Sequence, residues 1–239
     1  MDFFAHNLWY SFRKKHIVQE VSLRVSSGES VALLGPNGAG KTSTFLLMSG
    51  LILPSKGSIF LNEKNVTLWP LYRKARLGIR YLPQESSIFR DLTVENNLKI
   101  ILERMYLSIK DQKFHLEQLL NDFHLNAQRK YVGGVLSGGE RRRLEIARAL
   151  IGEPKFLLLD EPFAGIDPRS IEDVQGLIRG LKQRNIGILI TDHNVRETLS
   201  LVDRVYIMFE GRVLKEGTPE AVLQSDKVRS VYLGDTFSL

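Results

Sequence analysis

The stretch Ser30-Val31-Ala32-Leu33-Leu34-Gly35-Pro36-Asn37-Gly38-Ala39-Gly40-Lys41-Thr42 decides the fold class. Its first five residues, four of them apolar, read as a short buried strand that runs straight into glycine. The rest fits the spacing G-x-x-x-x-G-K-[ST], with Ser43 following. Gly35, Gly38 and Gly40 let backbone N–H groups converge on phosphate oxygens, and Pro36, Asn37 and Ala39 complete the loop. From Lys41 the pattern turns helical and stops at Gly50, with Pro54 beyond. The positive N-terminal end of that helix therefore points into the same cradle. Lys41 is placed to reach the β- and γ-phosphates of a nucleoside triphosphate, and the Thr42 hydroxyl to ligate Mg²⁺.

A second apolar run, Phe156-Leu157-Leu158-Leu159, ends in Asp160-Glu161-Pro162. A buried parallel strand delivers its C-terminal end to the ligand crevice, beside the phosphate loop. Asp160 is expected to hold Mg²⁺ through water, and Glu161 to aim at the attacking water. Loose phosphoryl transition states need positioning and charge stabilisation more than covalent chemistry.

Other segments fill in an α/β pattern. Phe3 to Leu8, Ile17 to Val18 and Val21 to Val25 read as antiparallel strands before the turn Ser26-Ser27-Gly28-Glu29. Ser58 to Asn62, Ile79 to Leu82 and Gly187 to Ile190 are further strands, and Val205 to Phe209 with Gly211 to Leu214 a final hairpin. Helical periodicity marks Leu92 to about Lys130, Ser170 to Arg184 and a short helix from Asn194. Strands alternating with helices predict a mainly parallel sheet with helices on both faces.

Composition sets outer limits. The 239 residues suffice for one large domain, and 43% hydrophobic with 25% charged residues is ordinary for a globular chain. No apolar stretch approaches the ~20 residues that span a bilayer. The start, Met1-Asp2-Phe3-Phe4, lacks the layout of a secretory signal. Without cysteine, disulfide frameworks, zinc-thiolate sites and thiol nucleophiles are excluded. A soluble chain kept in the cytoplasm is expected. Its net charge of +6 suits phosphorylated ligands, nucleic acid or an anionic membrane alike. The basic groups, among them Gln128-Arg129-Lys130 and Arg141-Arg142-Arg143, read first as solvated surface.

Leu136-Ser137-Gly138-Gly139-Glu140 precedes a helix with apolar positions Leu144, Ala147 and Ile151, and Ser137-x-x-Glu140 fits a capping box. LSGGE is also the signature of ABC-transporter ATPases. The chain resembles a complete ABC nucleotide-binding subunit, with motifs in family order from Phe12 to His193. The resemblance implies a P-loop NTPase of the ABC type: a mainly parallel core, an N-terminal antiparallel β subdomain and an inserted helical subdomain. These would form a single domain over residues 1–239, with core and β subdomain at about 1–84 and 156–239 and the helical part at about 85–155. It further implies that Phe12 stacks on adenine, although a core-facing strand residue is the alternative. Gln84 would contact Mg²⁺ and link the site to a membrane partner. Asp167 in Gly165-Ile166-Asp167-Pro168 would form the D-loop, where the family more often has Ala-Leu-Asp; it also fits an ordinary helix N-cap. His193 would approach the γ-phosphate. Ser137, Gly138, Gly139 and Glu140 would act in trans, Ser137 and Gly139 capping the γ-phosphate held by a second copy. A homodimer enclosing two ATP molecules is the implied unit.

The similarity narrows further, to ATPase subunits of lipopolysaccharide-export transporters. It is carried by Tyr81 to Arg90, Ser137 to Arg143, Glu161 to Gly165, Thr191 to Thr198 and the tail Val231 to Phe237. That family implies a dimer driving two integral membrane subunits from the cytoplasmic face of the inner membrane, with no nucleic-acid partner. Phe89 and Arg90 fall where such partners dock; an exposed loop aromatic and a surface charge are the plainer alternative. An importer ATPase of the branched-chain amino acid type, or a soluble ABC ATPase of DNA repair or translation, are the competing assignments.

Overall fold

Three strands buried along their whole length, β3 (Ser30–Leu34), β7 (Phe156–Asp160) and β8 (Gly187–Thr191), form the centre of the chain. The computed structural model describes residues 1–105 and 107–234. Asp235, Thr236 and Phe237 of the tail lie outside them.

Before the centre come β1 (Asp2–Phe12) and β2 (Lys15–Ser26); after β3 come α1 (Lys41–Ser49), β4 (Lys56–Leu61), β5 (Lys64–Asn65), α2 (Leu71–Arg76) and β6 (Ile79–Leu82). Then follow α3 (Val94–Leu102), α4 (Ile109–Asp122) and α5 (Gly138–Leu150). The final third adds α6 (Pro168–Gln183), α7 (Val195–Leu199), β9 (Arg204–Phe209), β10 (Arg212–Gly217), α8 (Pro219–Leu223) and α9 (Asp226–Val228) around β7 and β8.

One sheet has the order β10-β9-β3-β8-β7-β6, parallel except for the β9–β10 hairpin. The other, β2-β1-β4-β5, is antiparallel. The two runs expected at Ile17 to Val18 and Val21 to Val25 are one strand, broken in register and carrying Glu20 at φ 56°. The helical middle breaks between Leu102 and Ile109, and its last stretch, to Lys130, is not helix. Short β5 and α2 gave no periodic signal.

Side-chain alternation in the central strands feeds two cores. Ala32, Leu34, Leu157, Leu159, Ile188 and Ile190 face a layer built from α3 to α6. Val31, Leu33, Phe156, Leu158 and Leu189 face α1 and the antiparallel sheet. Burial on both faces is why these strands read as unbroken apolar runs.

Helix ends follow side-chain chemistry. Thr93 caps α3, Ser108 caps α4, and Asp167 caps α6 with Pro168 at its first position. Helix α1 ends at Gly50, at φ 85°, where a Cβ would lie 2.5 Å from the Trp69 carbonyl oxygen. The last carbonyls of α1 have an unusual partner: Lys74 of α2, fully buried, donates from Nζ to Met48 O at 2.9 Å and Leu47 O at 3.4 Å.

Burial holds the Lys74 ammonium down to about 8 from its ordinary 10.5. The folded chain therefore binds the Lys74 proton less well than the unfolded chain. The cost of burying the charge is full below about 8 and is relieved as pH rises to 10.5. That gap corresponds to on the order of 3 kcal/mol. Urea denaturation across this range should show wild type gaining stability relative to Lys74→Met. A difference that stays flat with pH would show that Lys74 is not desolvated.

Candidate functional site

The phosphate loop takes its shape from crowding and from its glycines. A Cβ at Gly35 would lie 2.1 Å from the Met208 carbonyl oxygen, and one at Gly40 2.7 Å from the Ile17 oxygen. Gly35, Gly38 and Gly40 all have positive φ, 149°, 79° and 103°. No side chain caps the N-terminus of α1, so its first N–H groups face the cradle formed by Pro36, Asn37, Gly38 and Ala39. Thr42 is exposed and its hydroxyl makes no hydrogen bond among the described residues, while Ser43 is half-buried beside it. Lys41 is buried and donates from Nζ to the carbonyls of Gly35 at 2.7 Å and Pro36 at 3.0 Å. Burial lowers its pKa, and the carboxylates of Glu161 and Asp160 oppose that fall. The lysine and both acids thus meet, although β8 separates the strand before the phosphate loop from the strand that ends in Asp160.

Asp160 and Thr191 are register partners at the ends of β7 and β8. Asp160 is 2% exposed; its Oδ2 accepts the Tyr81 hydroxyl at 3.0 Å, whereas Oδ1 is buried without a partner. Burial pushes its pKa up, and the Tyr81 hydrogen bond works against this. A buried carboxylate oxygen with nothing to bind is rare in folded proteins, because leaving it unpaired is costly. It is the kind of hard oxygen donor that a Mg²⁺ ion or its water shell satisfies.

Glu161 follows in the left-handed region, φ 47°, an uncommon conformation for a side chain of this size. Its N–H bonds the Thr191 carbonyl at 2.7 Å, and its Oε1 lies 2.6 Å from His193 Nε2. His193 is half exposed and Glu161 nearly buried. The motif residues Glu161 and His193 therefore lie in direct contact.

Glu161, Gln84, Gly138 and Gly165 line a shared cleft of about 140 Å³. A Cβ at Gly138 would strike the Gly165 oxygen at 2.4 Å, and one at Gly139 the Ser170 side chain, so the signature and D-loop segments lie in contact. Ser137 Oγ accepts from the Glu140 N–H and Glu140 Oε2 accepts from the Ser137 N–H, completing the expected capping box. Asp167 Oδ1 accepts from the Ser170 N–H at 3.1 Å. Phe12, at the end of β1, is 58% exposed, which excludes the core-facing alternative; the Arg13 guanidinium stands 5.5 Å from its ring. Its hairpin reaches the phosphate loop through Gln19, whose N–H bonds the carbonyl of Gly211, and Gly211 in turn donates to Ala39. Phe89 and Arg90 are exposed on the loop after β6.

Several contributors escaped the sequence reading. The Arg141-Arg142-Arg143 group is not all solvated: Arg142 is 5% exposed, ion-paired at 2.9 Å with equally buried Glu145. Arg142 also donates to the carbonyls of Pro83, Asp160 and Pro162, joining the loops of Gln84 and Glu161 to α5. Their spacing of three on a helix was the available signal. Asp192, 2% exposed, accepts from the N–H groups of Phe163 and Asn194 and so ties the Glu161 loop to the His193 loop. Tyr232, half-buried in the C-terminal segment, lies beside the Gly35 backbone, and burial raises its pKa.

A glycine cradle at a helix N-terminus, beside a strand ending in a carboxylate, defines the class as a P-loop nucleoside triphosphatase. Residues 18–164 match the ABC transporter family, and the chain belongs to that family as an ATPase subunit. It is 52% identical over 235 residues to the lipopolysaccharide export system ATP-binding protein LptB of Acidithiobacillus ferridurans, covering 98% of each chain. It is 49% identical over 236 residues to the protein of that name from Escherichia coli (strain K12), again over 98% of each. Among solved structures, the ADP conformation of an ATP-binding cassette of an ABC transporter matches with a TM-score of 0.87 and 27% identity, covering 98% of this chain and 100% of that one. No helix among the described residues is long and apolar enough to cross a membrane.

Removing the Arg142 guanidinium would strand Glu145 as a buried charge. Arg142→Met should cost about 3–5 kcal/mol in chemical denaturation. Arg24→Met, which breaks the exposed pair with Asp2, should cost less than about 1 kcal/mol. Equal effects would mean that the Arg142–Glu145 pair carries no more than a surface contact.

Proposed function

We propose that this chain hydrolyses ATP with Mg²⁺ to drive lipopolysaccharide export, as a homodimer bound to two integral membrane subunits on the cytoplasmic face of the inner membrane. The observation that carries the cargo assignment is the 52% and 49% identity, across 98% of both chains, to ATP-binding proteins of lipopolysaccharide export.

In this reading the N–H groups of Gly38, Gly40 and Lys41 bind phosphate oxygens, and Lys41 Nζ neutralises them. Phe12 offers an exposed ring for the adenine. Asp160 and Thr42, with Gln84, hold Mg²⁺; the unpartnered Asp160 Oδ1 is the donor that fits it. The ion supplies charge neutralisation where negative charge develops between the phosphates. Glu161, with His193 2.6 Å from its Oε1, orients the attacking water and accepts its proton. Ser137, Gly138, Gly139 and Glu140, together with Asp167, serve the second copy's site. The helical part at about 85–155 presents Phe89 and Arg90 to the membrane subunits, and an aromatic beside an arginine suits an interface centre.

Glu161→Gln keeps the shape but loses the base, so it should bind ATP and turn over at least about 100-fold more slowly. Lys41→Ala should lose ATP binding. Near-normal turnover by Glu161→Gln would remove the base from this position. The same protein should become a dimer on size exclusion only with ATP, whereas a monomer in both conditions would overturn the shared site.

Depleting the chain in its host should leave lipopolysaccharide in the inner membrane. A requirement for branched-chain amino acids with normal lipopolysaccharide at the cell surface would instead identify an importer.

A further inference from the structure

The loop from Ser87 to Leu92 bears the exposed Phe89 and Arg90, yet its backbone is fastened from inside the protein. Asn97, in the second turn of α3, has no solvent exposure. Its Oδ1 accepts the Phe89 N–H at 2.9 Å. Its Nδ2 donates to the Phe89 carbonyl at 2.9 Å and lies 3.1 Å from the carbonyls of both Leu92 and Thr93. One primary amide thus serves both backbone polar groups of the single residue whose ring stands 46% exposed. Only an amide supplies an acceptor and two donors at one site.

The other side of the turn is fastened as well. The Gly133 N–H bonds the Leu92 carbonyl at 2.9 Å, and the Gly134 N–H bonds the Arg90 carbonyl at 2.8 Å. A Cβ at Gly133 would come within 3.0 Å of the Phe89 oxygen, so the two backbones touch. Two residues further on, Leu136 leads into Ser137. The ring itself is steadied by the Arg148 guanidinium 4.9 Å above it, and Arg148 bonds the Ser87 carbonyl. An exposed aromatic on a loop ordinarily loses freedom on binding; a backbone fixed in advance lowers that cost.

We propose that Asn97 is the positioning residue of the membrane-partner surface. It presents Phe89 in its bound geometry and, with Gly133 and Gly134, makes the docking turn and the lead into Ser137 one rigid unit. The inference rests on the reading that Phe89 docks to the membrane subunits. Displacement of that turn by the partner would then be carried to the signature segment without touching the chain's own phosphate loop.

The test co-expresses the tagged chain with the transporter's two membrane subunits and compares wild type, Asn97→Asp, Asn97→Ala and Phe89→Ala. Asp keeps the shape but turns the donors into a carboxylate facing three carbonyls; Ala removes the clamp without repulsion. Both Asn97 variants should recover about tenfold less of the membrane subunits, roughly what the loss of one buried hydrogen bond allows. ATP hydrolysis by the same free variants should stay within about twofold of wild type, a split that a merely structural defect would not give. Asn97→Ala combined with Phe89→Ala should be no worse than Phe89→Ala alone, because both act through one contact. If Phe89→Ala weakens assembly and Asn97→Ala does not, the clamp is overturned and the docking surface stands. If Phe89→Ala assembles fully, the docking surface falls and the clamp with it. Loss of folding or of free ATP hydrolysis in both Asn97 variants overturns the proposal and makes Asn97 a core residue.

Discussion

Strands covered on both faces leave only their ends for chemistry. Every residue of β3, β7 and β8 is buried, and the parallel pairing brings their C-terminal ends to one side. Ligand groups can enter only there, where backbone N–H groups and carboxylates emerge from an apolar slab. Asp160 and Thr191 end two of those strands, and Gly35 follows the third. The register that sets Asp160 opposite Thr191 therefore fixes the site before any side-chain contact is made.

The same slab makes charge at its edge strong and costly. Lys41, Asp160 and Glu161 share one low-dielectric corner, where burial acts on Lys41 and Asp160 in opposite directions. Arg142 and Glu145 occupy a second such corner, and their neutral pair lets one guanidinium bind three carbonyls from two loops. The loops bearing Gln84 and Glu161 are consequently braced by the helix that the signature begins. Motion of α5 as a body would move the backbone around both.

The motifs were legible because each combines a backbone demand with a side-chain demand. Gly35 to Thr42 needs positive φ and a cation within eight residues, and few sequences do that by accident. Asp160 and Glu161 stood out as charges ending an apolar run. Arg142, Asp192 and Asn97 did not stand out, because each acts by bonding backbone groups distant in sequence, and a carbonyl has no letter. Arg142 was hidden further by two arginine neighbours that lie nearer solvent. Phe12 shows the opposite case: its letter permitted core or surface, and only its place at the end of a hairpin strand settled the matter. The helical middle was visible by period, while its break after Leu102 followed from no turn signal.

Glu161 sits with φ at 47°, where a side chain with a Cβ is held at a cost of about 1–3 kcal/mol. Glycine would rest there without strain, but it has no carboxylate to give. The proposed base thus occupies a position where local backbone preference and chemistry pull toward different residues. Random substitution scored by stability alone would favour replacing it, and a library selected for heat resistance would be expected to accumulate cold, well-folded and inert proteins at this one position. Robustness and turnover are opposed here by a single torsion angle.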